Sequence, residues 1–222
     1  MIFRKSWPRF ALETAIEYNI QHSGVNGGRC INVGCGTSGR YEELLSTFDV
    51  DGVDILDPGS AQMPWRYHQV DAAKLPFPDL MFDFAIAIES FEHIEANEEA
   101  MSELERTLKP GGVAVITVPT HWTWMFEFGR HGPHYYSRRT LSELIVSSGL
   151  KVDMLYGCGG VGMYIVKLGK SWLPPIGIRI FRQHWWAWID GILKPVYMLA
   201  AGVDTLLPFS PSNWVVVAHK PE

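Results

Sequence analysis

The stretch Cys30-Ile31-Asn32-Val33-Gly34-Cys35-Gly36-Thr37-Ser38-Gly39 decides how the chain is expected to fold. Its first four residues form a short, mostly apolar run that favours a β-strand, and its glycines follow the spacing G-x-G-x-x-G. Such glycines let the backbone approach a ligand closely, and the N-terminus of a following helix is partly positive. The stretch predicts a strand, a ligand-binding turn and a helix over residues 41–48. The alternative is a tight turn whose glycines only serve packing.

The sequence on either side of this turn alternates between strand and helix patterns. Apolar residues recur at helical spacing from Phe10 to Ile20, before Gly24, and Ser137 and Gly149 fit the N-cap and the end of a later helix. Alternating strands and helices predict an α/β fold, namely a Rossmann-like, doubly wound and mainly parallel sheet. The expected strands cover residues 30–33, 50–56, 68–70, 82–88, 113–118, 152–156 and 214–218, and further helices cover residues 96–108 and 138–148.

The composition fits one folded core with one elaboration. Among 222 residues, 47% are hydrophobic and only three are cysteines, which excludes a disordered chain and a disulfide scaffold. The N-terminus lacks the apolar core of a signal peptide, and no stretch of about 20 apolar residues would cross a bilayer. We expect a single domain over residues 1–222 and a cytoplasmic location. The formal net charge of −5 argues weakly against a nucleic-acid partner.

An acidic residue ends the second expected strand. There Asp54 could accept hydrogen bonds from both hydroxyls of a ribose. The alternative is a solvated strand-end carboxylate, and Asp51 and Asp57 show that acidic residues are common in this stretch. Up to this point, a nicotinamide-dependent oxidoreductase and an enzyme with an adenosyl ligand fit equally well.

Three later motifs separate these two classes. Val70-Asp71-Ala72-Ala73-Lys74-Leu75-Pro76-Phe77-Pro78-Asp79, then Phe82-Asp83 and Leu108-Lys109-Pro110-Gly111-Gly112, resemble the class I S-adenosylmethionine-dependent methyltransferases. The resemblance is closest to the small-molecule branch of the ubiquinone/menaquinone-biosynthesis type and covers roughly residues 28–157. It implies a seven-stranded sheet with an antiparallel last strand, S-adenosylmethionine as cofactor, and methyl transfer to a small-molecule or lipid-like acceptor.

The resemblance also implies roles for single residues near the ends of the strands. Gly34 and Gly36, with Cys35 between them, would cradle the methionine part of the cofactor. Asn32 departs from the family, which commonly has an acidic residue there, and this removes a charge near the ammonium group of the cofactor. The other cofactor residues would be Asp54 at the ribose, Ile55 on the adenine ring, Asp71 at the adenine amino group with Ala72 alongside, and Glu89 and Ser90 beside the sulfonium.

Catalysis by such an enzyme depends largely on geometry, because methyl transfer from a sulfonium is an in-line displacement. A hydroxyl acceptor would also be helped by a base. The catalytic candidates are His134, Glu89 and His93; Glu92-His93 matches a frequent Glu-His pair of the family, although His93 suits a packing role equally well. No metal site is expected. Further acceptor-side candidates after the fifth strand are His121, Glu127, Arg130, His131, Tyr135, Tyr136, Arg138 and Arg139.

The C-terminal part of the chain differs from the rest in charge and tryptophan content. Residues 1–127 carry a formal charge of −10 and residues 128–222 carry +5, and five of the nine tryptophans lie in the second part. We expect residues 160–211 to form an aromatic-rich helical insertion between the last two strands. It could be a hairpin packed on the sheet, a lid over an apolar acceptor, or a patch for peripheral membrane contact.

Two other functions stay open on the sequence alone. One is a non-catalytic module that binds S-adenosylmethionine and docks on a partner or a membrane through the insertion. The other is the nicotinamide-dependent oxidoreductase, which leaves the motifs at Asp71 and at residues 108–112 unexplained. The sequence does not identify the oligomeric state.

Overall fold

The computed structural model describes residues 9–121, 123, 132–160, 195–196, 198–199 and 211–222. Its named helices and strands follow one another as expected for an α/β protein. In chain order they are α1 (Phe10–Gln21), β1 (Gly28–Val33), β2 (Phe48–Asp54), β3 (Arg66–Gln69), β4 (Phe82–Ile88), α2 (Asn97–Thr107), β5 (Leu108–Pro119), α3 (Arg138–Ser147), β6 (Lys151–Cys158) and β7 (Asn213–His219).

The strands form one seven-stranded sheet in the order β3-β2-β1-β4-β5-β7-β6. The first five strands pair in parallel, whereas β7 is antiparallel to both β5 and β6. This confirms the predicted mainly parallel sheet with an antiparallel last strand. The strand order reverses between β1 and β4, and in such sheets ligands bind in the crevice beyond the carboxyl ends of the strands at this point.

Apolar side chains cover both faces of the sheet. On one face, Ile31 and Val33 belong to a core that includes Met101 and Leu104 of α2 and Leu141 of α3. The opposite face has its own core, which joins Cys30 of β1 to Leu12, Ile16 and Ile20 of α1 and to Tyr41 and Leu45. Helices on both faces confirm the doubly wound arrangement.

The helix predicted over residues 41–48 is wrong. This segment forms turns, in which the N–H of Leu45 donates to the carbonyl oxygen of Tyr41 at 3.1 Å, and β2 already begins at Phe48. Tyr41 and Leu45 are both buried, so the apolar spacing that indicated a helix belongs to these turns. Because the first turn of a helix is costly to form, so short a connection does not sustain one.

Other boundaries differ by a few residues. The structure extends β5 back to Leu108, directly after α2, with a register shift against β4 between Phe82 and Phe84. The predicted N-cap of α3 is confirmed, because the Ser137 hydroxyl accepts from the backbone N–H of Thr140 at 3.1 Å within a capping box.

Residues 160–211 connect β6 to β7 along the chain. Most of them, including the tryptophans at positions 172, 185, 186 and 188, lie outside the described residues, so the helical insertion stays a prediction. Among the residues that the structure describes, no helix has the length and apolar character needed to cross a membrane.

Candidate active site

The glycine turn after β1 meets the ends of two neighbouring strands. The N–H groups of Gly34 and Cys35 both donate to the carbonyl oxygen of Val53 in β2, at 2.9 and 3.2 Å. Gly34 has a φ of 68°, and a Cβ atom there would lie 2.2 Å from Cβ of Ser90, the second residue after β4. Position 34 therefore requires glycine, and the turn lies against the end of β4 as well as that of β2.

Asp54, at the end of β2, is bound to the same turn. Its Oδ2 accepts from the N–H of Gly36 at 2.8 Å, and its Oδ1 accepts from the N–H of Leu56 at 3.0 Å. The carboxylate is thus fixed in position by two backbone donors. Each oxygen of an ionised carboxylate can accept more than one hydrogen bond, so both still have capacity for a ligand hydroxyl.

The residues predicted to bind the adenine ring of the cofactor follow β2 and β3 and lie close to Asp54. The N–H of Val70, which follows β3, donates to the Asp54 carbonyl oxygen at 2.9 Å. Asp71 caps a short 3-10 turn, where its Oδ1 accepts from the N–H of Ala73 at 2.9 Å, and Ala72 is buried behind it. Ile55 is 69% exposed, which is high for a large apolar side chain and leaves a face for a flat ring to cover.

Glu89 follows β4 directly and adopts a strained backbone conformation. Its φ is 54°, in the left-handed region that costs roughly 1–2 kcal/mol for a residue with a Cβ. Its N–H donates to the Thr117 carbonyl oxygen at 2.9 Å, and its Oε1 accepts from Nδ2 of Asn213 at 2.7 Å. Strain that is held in place by neighbours on both sides is typical of functional positions.

The two predicted catalytic histidines meet in the segment that follows β4: His93 belongs to this segment, and His134 binds to it. Nε2 of His93 lies 3.7 Å from Oε1 of the buried Glu92, and the His93 side chain is 55% exposed. His134 binds the same segment, because its N–H donates to the Glu92 carbonyl oxygen at 3.3 Å and its Nε2 lies 3.1 Å from the Glu95 carbonyl oxygen. A carbonyl can only accept, so Nε2 is the donor and the neutral ring keeps Nδ1 as its basic nitrogen.

Comparison with known proteins agrees with this geometry. A family model described as "Methyltransferase domain" matches residues 11–155, which is more than half of the chain. The chain belongs to this family of methyltransferase domains.

Individual relatives extend the comparison. The methyltransferase domain is 33% identical over 196 residues to the sterol 24-C-methyltransferase ERG6B of Gibberella zeae, covering 82% of this chain and 48% of that protein. It is 32% identical over 127 residues to the ubiquinone/menaquinone biosynthesis C-methyltransferase UbiE of Azotobacter vinelandii, covering 50% and 47% of the two chains. The chain therefore spans about half the length of these relatives. The predicted ubiquinone/menaquinone branch is one of several that the domain resembles.

A solved structure supports the same fold. The phosphoethanolamine N-methyltransferase 2 of Haemonchus contortus, in complex with S-adenosyl-L-methionine, superposes with a TM-score of 0.61 at 17% identity, over 94% of this chain and 53% of that one. At this identity the likeness concerns the fold alone.

The structure brings the predicted site residues together in two groups. The first group joins the glycine turn, Asp54 and Ser90 through hydrogen bonds and close packing. The second joins His93 and His134 to Glu92 and the residues after it. Of the other acceptor-side candidates, Glu127, Arg130 and His131 lie outside the described residues.

Cys35 is a packing residue in this geometry. A Cβ atom at Gly52 would lie 2.9 Å from the Cys35 sulfur, so the side chain fills space over β2. Burial, together with the charge of Asp54, raises the pKa of its thiol to about 12. A thiol that stays protonated is a poor nucleophile, which agrees with the role of a small filler in the turn.

Charged residues near α1 were missed by the sequence analysis. Glu13 is fully buried on the inward face of α1, and its carboxylate accepts from Nε of Arg40 at 3.1 Å. Arg9, the N-cap of α1, lies near both Glu13 and Glu89. A signal existed in the sequence, since Glu13 directly follows Leu12 and lies one turn before Ile16 on the apolar face of the helix.

The part of the chain that the structure describes contains no group of three or more His, Cys, Asp and Glu side chains arranged to hold a metal ion.

Proposed function

We propose that this methyltransferase domain binds S-adenosylmethionine and transfers its methyl group to a small-molecule or lipid-like acceptor. The observation that carries the proposal is the hydrogen bond between the Gly36 N–H and Asp54, which joins a glycine turn to a strand-end carboxylate at the reversal of strand order. Family membership supports the same conclusion.

The residues at this edge fit the cofactor. Apart from its own chain neighbours, no heavy atom of the described residues lies within 4 Å of a Cβ position at Gly36, so the described structure leaves space for a ligand there. Asp54 offers two fixed carboxylate oxygens for the ribose hydroxyls, and the exposed Ile55 offers an apolar surface for the adenine ring. Asp71 and the backbone of Ala72 would contact the adenine edge.

The bound cofactor would supply an activated methyl group on a sulfonium, so the protein mainly holds it and the acceptor in line. The Glu89 carboxylate, fixed by Asn213, would stabilise positive charge near the reacting centre. For a hydroxyl acceptor, Nδ1 of His134 or the exposed ring of His93 would accept the proton. Glu92 contacts both histidine residues and would hold this segment in place.

A sterol methyltransferase among the relatives favours a lipid-like acceptor. The segment between β6 and β7 begins and ends near Glu89, because Asn213, the first residue of β7, pairs with Cys158 at the end of β6 and donates to Glu89. The lid over an apolar acceptor stays our prediction for residues 160–211, most of which lie outside the described residues. The cytoplasmic location and the membrane-contact hypothesis remain predictions.

The test is methyl transfer itself. The protein is incubated with methyl-labelled S-adenosylmethionine and an acceptor panel that includes sterols, fatty acids and small phenols, and labelled product is identified by mass spectrometry. We expect product with an apolar acceptor, and deletion of residues 172–209 should abolish it while cofactor binding persists. Cofactor binding without turnover on any acceptor would favour the non-catalytic module instead.

A further inference from the structure

A mixed cluster of charges lies between α1 and the glycine turn. Glu13 is fully buried and bound to Arg40, the residue that follows Gly39. Because Glu13 and Arg40 already pair, they bring one anion and one cation to this corner with little net charge. The guanidinium of Arg9 is a further cation, and it lies beside Glu13 at the start of α1.

Arg9 is close to two carboxylates without forming a hydrogen bond to either of them at the recorded distances. Its Nε lies 3.8 Å from Oε1 of Glu13, and its Nη2 lies 3.9 Å from Oε2 of Glu89. The Nε atom is buried and has no hydrogen-bond partner among the described residues. A buried N–H donor without an acceptor is costly, so its presence points to an acceptor that a ligand would supply.

Two more unpartnered donors lie on the elements around this corner. Nδ2 of Asn32 and the hydroxyl of Ser90 are both buried and have no hydrogen-bond partner in the described part of the chain. Asn32 lies on the same face of β1 as Cys30, which packs in the core that α1 covers, and Ser90 lies against Gly34. Arg9, Asn32 and Ser90 are thus three donors, one of them charged, and a carboxylate is a group that accepts from such donors.

We propose that Arg9 binds the α-carboxylate in the methionine part of S-adenosylmethionine, with the Asn32 amide and the Ser90 hydroxyl as further donors. This inference rests on the proposed function. Glu13, which accepts from Arg40, then acts as a positioning residue for Arg9. The Asn32 amide, whose Nδ2 has no hydrogen-bond partner among the described residues, can donate to a carboxylate.

The experiment compares two ligands that differ only in the methionine part. S-adenosylhomocysteine carries the α-carboxylate, and 5′-methylthioadenosine lacks the amino-acid group. In Arg9→Met we expect the affinity for S-adenosylhomocysteine to fall about tenfold or more, because a charge-assisted hydrogen bond is lost, and the affinity for 5′-methylthioadenosine to be unchanged. The matched control is Arg139→Met, since Arg139 is 87% exposed and pairs only with Glu143 among the described residues.

The possible outcomes distinguish a failure of the role of Arg9 from a failure of the proposed function. An Arg9→Met protein that binds S-adenosylhomocysteine as tightly as the wild type, or that loses affinity equally for both ligands, overturns the role of Arg9. A wild-type protein that binds neither ligand overturns the proposed function as well. If Arg9→Met does not fold, Arg9→Lys decides by the same comparison, with a smaller selective loss expected for S-adenosylhomocysteine.

Discussion

The backbone N–H of Gly36 donates a 2.8 Å hydrogen bond to Oδ2 of Asp54, and this contact unites the two parts of the proposed cofactor site. It fixes both the position of the glycine turn relative to β2 and the orientation of the Asp54 carboxylate. A ligand that contacts both therefore meets a prearranged site. Such a site loses less conformational entropy when it binds than a flexible loop would.

Removal of the Asp54 carboxylate should weaken cofactor binding more than removal of Asp71. In Asp54→Ala the ribose loses charge-assisted hydrogen bonds worth about 1.5–3 kcal/mol, which corresponds to a roughly 10- to 150-fold rise in Kd for S-adenosylhomocysteine. Asp71→Ala should have a smaller effect. Calorimetry checks both, with Asp57→Ala as control because Asp57 is exposed and, among the described residues, accepts a hydrogen bond only from Gly59 of its own turn. Unchanged affinity in Asp54→Ala would remove this residue from the site.

A methyl group at position 34 should be far more harmful than one at position 36. Both glycines have positive φ, but only the Cβ at position 34 collides with Ser90. We expect Gly34→Ala to cost roughly 2–5 kcal/mol of unfolding free energy and Gly36→Ala about 1–2 kcal/mol. Denaturant unfolding measures both. Adding Ser90→Gly to Gly34→Ala should restore part of the loss, and no restoration would contradict the collision.

The charge of Glu89 should matter for the sulfonium rather than for folding. Glu89→Gln can keep the hydrogen bond with Asn213 and removes the negative charge. We expect affinity for S-adenosylmethionine, which carries a positive sulfur, to fall roughly tenfold, and affinity for the neutral sulfur of S-adenosylhomocysteine to fall less. Competition binding with both ligands checks this. An equal loss for both would show that Glu89 does not face the sulfonium.

Asp51 should stabilise the fold in a pH-dependent manner. Burial opposes its ionisation, but hydrogen bonds from Arg66, His68 and Arg29 prevail and lower its pKa to about 2. A lowered pKa gives stability that is present above the unfolded value of about 3.9 and is lost as pH falls towards 2. We expect Asp51→Asn to cost about 3 kcal/mol at pH 7 and progressively less below pH 4.

Denaturant unfolding at pH 7 and pH 3 measures this difference. Asp49→Asn is the matched control, because Asp49 also pairs with Arg66 but its side chain is 59% exposed, so its loss should cost much less than the loss of Asp51. A pH-independent effect of Asp51→Asn would contradict the account.

The sequence predicted the sheet because continuous apolar runs and glycine turns are local signals. It also predicted that Gly36 and Asp54 serve one cofactor, because the glycine spacing, the strand-end carboxylate and the family resemblance all indicated such a site. It failed at residues 41–48, where the burial of Tyr41 and Leu45 by turns has the same spacing as a helix. It could not identify Arg9 as a candidate, because the proximity of Arg9 to Glu89 arises only when α1 packs on the sheet.

The most direct test of the central claim is calorimetric titration of the protein with S-adenosylmethionine, S-adenosylhomocysteine and NAD under identical conditions. A ligand that binds only the native state adds about 2.7 kcal/mol to the free energy of unfolding at 100 times its Kd and thereby raises Tm. Thermal unfolding therefore checks each titration. The account predicts that both adenosyl ligands bind and that NAD does not. Binding of NAD alone, or of none of the three, would contradict it.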